Sequence, residues 1–124
     1  VVLPDNGVSM FDYWKPLLTD VLIDSVKASG GLLVDLASSE MRRLFNWRKV
    51  AREVDVVRPE FYVSKGGRLK TIVIYAKMCR GAMTRYLLQN RIDNADKLKS
   101  FDFEGFSYSE VDSKPGSPVF VANL

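Results

Sequence analysis

The sequence predicts a mixed α+β fold of the α/β class. Its parts are a small mixed sheet, a long N-terminal helix, a basic helix after the first strand, and a strand-to-helix unit over residues 69–92. Three observations predict it. Apolar residues recur at spacings of three and four from Met10 to Ser25, as on one face of a helix. Short β-branched runs, Leu32–Leu36, Val54–Arg58, Phe61–Val63 and Thr71–Tyr75, read as strands. Glycine and proline punctuate the boundaries at Gly30-Gly31, Pro59, Gly66-Gly67 and Pro115-Gly116.

Residues 1–8 hold Pro4, Asp5, Asn6 and Gly7 and carry no periodicity. Ser9 is placed to cap a helix that runs to about Ser29 and is stopped by Gly30-Gly31. Leu32–Leu36 reads as a short strand buried on both faces, a pattern that favours parallel pairing. Ser38 or Ser39 then caps a basic helix with Glu40 in its first turn, running to Phe45 or Trp47 and extending toward Ala51. Strand continues through Val54–Val63 with a break at Pro59. Lys65-Gly66-Gly67-Arg68 is a hairpin turn, and a strand from Leu69 to Ala76 returns from it. A helix follows from Lys77 to about Ile92. Asp93 or Asn94 caps a short helix over residues 95–99. Phe101, Phe103, Phe106 and Tyr108 belong to a last strand, and Val119–Val121 reads as an edge strand after the proline-rich turn.

The chain has 124 residues, 47% hydrophobic and 27% charged, a composition that fits a single domain or half-domain. No apolar run reaches the roughly 18–20 residues of a membrane span, and the first residues lack the pattern of a signal peptide. The missing initiator Met reads as a fragment or a processed product. One cysteine and no histidine favour a reducing, cytoplasmic setting without a disulfide. They also remove the usual base of a serine–histidine triad and the usual ligands of zinc sites. We expect no metal and no cofactor. Residues 42–99 hold 15 Lys or Arg against 5 Asp or Glu, so a centre of +10 lies between ends that sum to −7. Such a centre suits an anionic partner, nucleic acid above all.

Taking about 100° per residue with Lys77 at zero, Arg80 lies at about 300°, Arg91 at about 320°, Thr84 at about 340° and Gly81 at about 40°. Met78, Cys79, Ala82, Met83 and Tyr86 fill the opposite arc, which we expect to be packed. Leu88, at about 20°, interrupts the polar face, and Arg85 sits at its margin. The two strand-to-helix junctions, Asp35–Glu40 and Tyr75–Gly81, are candidate anion sites, because ligands gather at the carboxyl ends of strands in open sheets. Two parallel strands in one sheet would bring Ser38, Lys77 and Arg80 to one edge, with Asp35 and Glu40 beside them. The competing reading makes the serines caps and Asp35 a satisfied turn residue. Cys79 reads as a small buried hydrophobe.

At these junctions the sequence resembles the YaaA family of peroxide-stress-resistance proteins. The resemblance rests on Leu33-Val34-Asp35-Leu36-Ala37-Ser38-Ser39-Glu40, on Tyr75-Ala76-Lys77-Met78-Cys79-Arg80-Gly81-Ala82-Met83-Thr84-Arg85-Tyr86, on Asn90-Arg91-Ile92, and on Phe101 with Glu104-Gly105-Phe106. The family's opening Ser-Pro-Ala-Lys-Thr segment and its mid-chain Leu-Arg-Pro-Leu-Asp and Tyr-Arg-Leu-Glu segments have no counterpart, so the chain corresponds to the C-terminal half and would partner the absent N-terminal half. Asp35 stands where the family often has Asn. The resemblance implies a cytoplasmic bacterial protein of mixed α/β fold that limits oxidative damage, is associated with lower free iron, and binds double-stranded DNA through a basic cleft.

Two functions follow. The first is non-specific DNA binding, with Lys77, Arg80, Arg85 and Arg91 on phosphates and Arg42, Arg43 and Arg48 widening the basic surface. The second is an enzyme acting on a nucleobase, nucleotide or other anionic small substrate. There Asp35 or Glu40 serves as acid or base, and Lys77 with Arg80 holds the anion. The sequence leaves open whether the chain catalyses anything and what its oligomeric state is.

Overall fold

The computed structural model describes residues 10–123, so the expected cap at Ser9 lies outside the described residues. The chain forms two compact units, Val1–Leu33 with Ala37–Val56, and Val34–Leu36 with Val57–Leu124. The first is mostly helical. Helix α1 (Met10–Ala28) is followed by β1 (Leu32–Val34), α2 (Ser39–Arg42), α3 (Trp47–Glu53) and β2 (Asp55–Val57). The mixed α+β class therefore holds.

Ile23 and Val26 of α1 pack with Val50 and Val54, and Leu22, Leu33, Trp47 and Val56 close around them. The spacing of three between Ile23 and Val26, and of four between Val50 and Val54, aims each pair inward. Thr19, also buried, accepts a hydrogen bond from Asn46 N–H at 2.9 Å. Asn46 in turn caps α3 by accepting from Lys49 N–H. This cap divides the single basic helix expected from the sequence into α2 and α3. The Asn side chain competes for a backbone N–H, which is how it ends one helix and starts another.

The second unit contains β3 (Glu60–Lys65), β4 (Arg68–Lys70), α4 (Val73–Gln89), a 3-10 turn (Ala95–Ser100), β5 (Asp102–Phe103), β6 (Phe106–Lys114) and β7 (Ser117–Asn123). Its sheet has the order β4-β3-β7-β6-β5, and β1 pairs with β2 in a sheet of its own. Strand β3 runs antiparallel to β4 and parallel to β7, with Phe61 opposite Phe120 and Val63 opposite Ala122. Gly66 and Gly67, both with positive φ, form the two-residue turn between β3 and β4, the geometry in which glycine carries no steric cost. Phe120, fully buried, stacks on Phe61 and meets Phe101 and Tyr108 edge-on, all with centroids within 5.9 Å.

Three strand expectations change. Strand β4 stops at Lys70, and the helix begins at Val73 instead of Lys77. The run Ile72–Ala76 is short and apolar, and such a run fits strand or helix equally by periodicity. Burial of Ala76, Cys79 and Met83 at spacings of three and four settles it as helix. The aromatic strand at 101–108 is a hairpin, turned at Glu104-Gly105 with Phe103 opposite Phe106. Val119–Val121, expected at an edge, lies in the central strand between β3 and β6. The irregular register of β6 between Ser109 and Lys114 makes this workable, because Ser113 Oγ accepts from Val119 N–H at 2.8 Å where the ladder is interrupted.

Phe120→Ala is expected to lower the unfolding free energy by about 3–5 kcal/mol in a denaturant titration, as loss of a central core aromatic does. Val111, 95% exposed on the bulge, replaced by Ser should change it by less than about 0.5 kcal/mol.

Candidate nucleic-acid interface

Helix α4 positions the cations that the sequence singled out. Its packed side is Ala76, Cys79, Ala82 and Met83, and it lies against β3. Three of these four are small, which lets the helix backbone approach the strands. Met78, expected on the packed side, is 48% exposed, so the buried arc is narrower than the periodicity implied. On the outer side Lys77, Arg85 and Arg91 are exposed and Arg80 is half-buried. Among the described residues none of these four lies within 4 Å of a carboxylate. The other cations near acids are occupied: Lys97 holds Asp93 at 2.7 Å, Lys99 holds Asp96 at 3.4 Å, and Lys49 holds Asp20 at 2.7 Å. Lys97 and Lys99 are thus drawn into local pairs. The four cations are not equivalent: Lys77 and Arg80 fall within about 60° of arc, Arg85 lies about 80° beyond Lys77, and Arg91 lies past the last helical residue, Gln89, so the arc expected from the sequence does not extend to it.

Arg91 ends the helix in a left-handed conformation, φ +48°. Ile92 N–H donates to Leu87 C=O at 3.1 Å across it, the closing bond of a motif whose central residue is usually glycine. The Arg side chain there is held in an unfavourable backbone region in order to be present at all.

The strand-to-helix premise for the second junction does not hold. Lys77 and Arg80 lie inside α4, not at its first residues, and β1 and β4 belong to different sheets. At the first junction Ser38 Oγ accepts from Met41 N–H at 3.3 Å and so caps α2. Glu40 is exposed in its first turn. A four-residue helix carries little macrodipole to offer an anion. Asp35 is buried, with 1% of its side chain exposed, and accepts from Arg58 Nε at 2.6 Å. Arg58 was missed in the sequence. A buried carboxylate requires a cation, but only the fold shows which one. Arg58 N–H also donates to Gly116 C=O at 2.8 Å, which fixes the pair to the turn before β7.

Arg42 lies over the Trp47 ring at 5.6 Å, while Trp47 Nε1 donates to Arg42 C=O at 2.7 Å. That pairing makes Arg42 part of the packing of its unit. Arg43 and Arg48 are exposed. Cys79 is fully buried, and burial pushes its thiol up from 9.0 to about 11, against the smaller opposing effect of the Arg80 charge. Among the described residues no group of three His, Cys, Asp or Glu is placed to hold a metal ion, and no helix is long and apolar enough to cross a membrane. An apolar cavity of about 190 Å³ is lined by Val63, Tyr75, Met78, Phe103, Glu104, Phe106 and Ala122. A second, of about 340 Å³, includes Asp96, Lys99, Tyr108, Glu110 and Lys114. None of Asp35, Glu40 and Lys77 lines either cavity.

Fold and site together define an α+β protein that presents cations without local partners on one helix and holds its buried acid in an ion pair. Residues 2–112 match the family of the peroxide stress protein YaaA, and the chain belongs to that family. It is 56% identical over 109 residues to a UPF0246 protein of Phocaeicola vulgatus, covering 87% of this chain and 43% of that relative. It is 53% identical over 122 residues to one of Bacteroides fragilis, covering 98% and 48%. A Marinomonas relative is 36% identical over 117 residues, covering 94% and 44%. The chain thus spans about half the length of the curated relatives it matches.

Two outcomes test this geometry. Asp35→Ala should cost up to about 3 kcal/mol by removing the buried carboxylate that Arg58 Nε binds, and Asp35→Asn less, since its amide oxygen still accepts. Both are read by chemical denaturation. Because the Cys79 thiol sits above its ordinary value, its stabilising effect is complete below about pH 9 and is lost as pH rises toward 11. The Cys79→Ala variant should lack that component of the alkaline decline.

Proposed function

We propose that this chain is the DNA-contacting part of a bacterial, cytoplasmic peroxide-stress protein that binds double-stranded DNA without sequence preference and so limits oxidative damage. The observation that carries the proposal is the row of cations on α4 with no carboxylate near. Lys77 and Arg80 share one flank with the exposed Thr84, Arg91 is exposed just past the helix end, and the neighbouring Lys97 and Lys99 are paired. Cations left without an internal partner suit phosphate, which supplies affinity through charge and counterion release. A 17-residue helix about 25 Å long can follow a stretch of backbone. Arg43 and Arg48 are exposed on the first unit and add to its positive charge, and Arg85 lies away from the flank. The acid or base role for Asp35 finds less support, because its carboxylate is engaged by Arg58.

DNA affinity should fall steeply with salt and vary little between sequences. Lys77→Glu with Arg80→Glu should reduce the slope of log K against log salt by about 2. Unchanged affinity and slope would overturn the assignment. Arg91→Gly should raise stability by up to about 1 kcal/mol by relieving the left-handed strain, yet weaken DNA binding severalfold in the same titration.

A further inference from the structure

The solvent side of α4 is not uniformly polar. Ile74, Met78 and Leu88 are 64%, 48% and 76% exposed. With Gly81 and Arg85 they follow one another at spacings of four, three, four and three. This is the alternation that forms a seam between two packed helices. The packed face, Ala76, Cys79, Met83 and Tyr86, shows a similar alternation of three, four and three. Helix α4 therefore carries two packing stripes, of which the described residues cover one. Gly81 sits at the centre of the open stripe. A Cβ built there meets nothing within 4 Å, so nothing in this chain requires glycine, which costs a helix interior about 1 kcal/mol relative to Ala. Beside Met78 the stripe borders the apolar cavity lined by Val63, Tyr75, Phe103 and Phe106.

We infer that the stripe Ile74–Met78–Gly81–Arg85–Leu88 is the seat of a helix from the part of the family protein that lies outside the matched region, crossing closely at Gly81 and placing a carboxylate against Arg85. The relatives are about twice as long as the match to this chain, so as much chain again is at hand to cover it. An apolar residue of the incoming helix suits the cavity beside Met78. A second copy fits less well. Two α4 helices crossing antiparallel at Gly81 set Arg85 of one against Lys77 of the other, a like-charge arrangement that disfavours the pair. The inference does not rest on the DNA reading: Arg80 lies about 80° of arc from Leu88, the nearest member of the stripe, and Lys77 borders the stripe between them.

The test uses Cys79 as a silent background, since it is buried. Leu88→Cys supplies one accessible thiol at an exposed position. The full chain carrying this change is prepared alone and co-expressed with the unmatched segment of the Phocaeicola relative, so that neither part must fold by itself. Alkylation of Leu88→Cys should be fast in the chain alone and slowed at least about tenfold in the co-purified complex. Gly81→Leu, whose side chain enters open space, should raise the melting temperature of the chain alone but weaken the complex. Arg80→Glu, on the flank away from the stripe, should leave the complex intact while weakening DNA binding, so that loss of DNA binding and loss of docking are read separately. Equal alkylation rates, failure of the two parts to associate, or an unaltered complex with Gly81→Leu would each overturn the inference. Protection that appears in the chain alone as its concentration rises would also overturn it, assigning the face to a second copy.

Discussion

The second unit depends on a single pairing, that of β7 with β3. Phe120 opposite Phe61 is where the sheet, the 3-10 turn and the hairpin come together. Until β7 arrives, β3 has only the short hairpin with β4 on one side, which reaches Val63 opposite Lys70 but leaves Phe61 with no strand beside it. The parallel pairing joins residues far apart in sequence, so it closes a large loop that includes all of α4 before its contacts form. The aromatic cluster around Phe120 gives the apolar contact that offsets this closure. The Asp35–Arg58 pair reinforces the same region, because Arg58 is also tied by its backbone to Gly116 at the entry to β7.

Local chemistry in the sequence was legible where a residue acts on its own neighbours. Ser38 and Asn94 cap the helices they precede, Gly30 and Gly31 end α1 with positive φ, and Gly66-Gly67 turns the hairpin. Each of these depends on atoms within a few residues. What failed depends on tertiary partners. Val119–Val121, following the proline-rich turn, read as an edge strand. The serine at 113 reaches Val119 N–H across the bulge, and the strand is central after all. Ile72–Ala76 looked like strand by composition, yet as helix it places Ala76 at the start of the buried stripe. Arg58 gave no sequence signal that distinguished it from its basic neighbours. The burial of Asp35 alone defines its role.

Of the candidate site, the cationic helix was legible and its surroundings were not. The sequence placed Lys77, Arg80 and Arg91 on one arc; in the structure Lys77 is exposed and Arg80 half-buried on α4, and Arg91 is exposed past the helix end. The shared sheet edge with Ser38 and Asp35 rested on a strand that ends at Lys70 and on two strands that belong to separate sheets. Leu88 looked like a blemish on the polar face. With Ile74, Met78 and Gly81 it becomes a second pattern, which a search for a single amphipathic moment averages away.

Helix α4 breaks several rules of helix stability, and all of the breaches face outward. Its first turn has no acidic residue and its N-cap, Ile72, makes no side-chain cap bond, so the free N–H groups there meet no negative charge. Gly81 weakens its middle without relieving any contact, and Arg91 occupies a left-handed position that glycine fills at no cost. The buried face commits no such breach: Ala76, Cys79, Ala82 and Met83 are small or pliable and well covered. If these features served the stability of the chain itself, each has an obvious better residue. Departures from local consistency gather where a protein answers to something other than its own fold. On α4 they sort into two kinds, cations on one flank and apolar side chains around a glycine on the other. The proposed phosphate contact answers the first kind and the proposed docked helix the second, two demands that a single ligand does not combine.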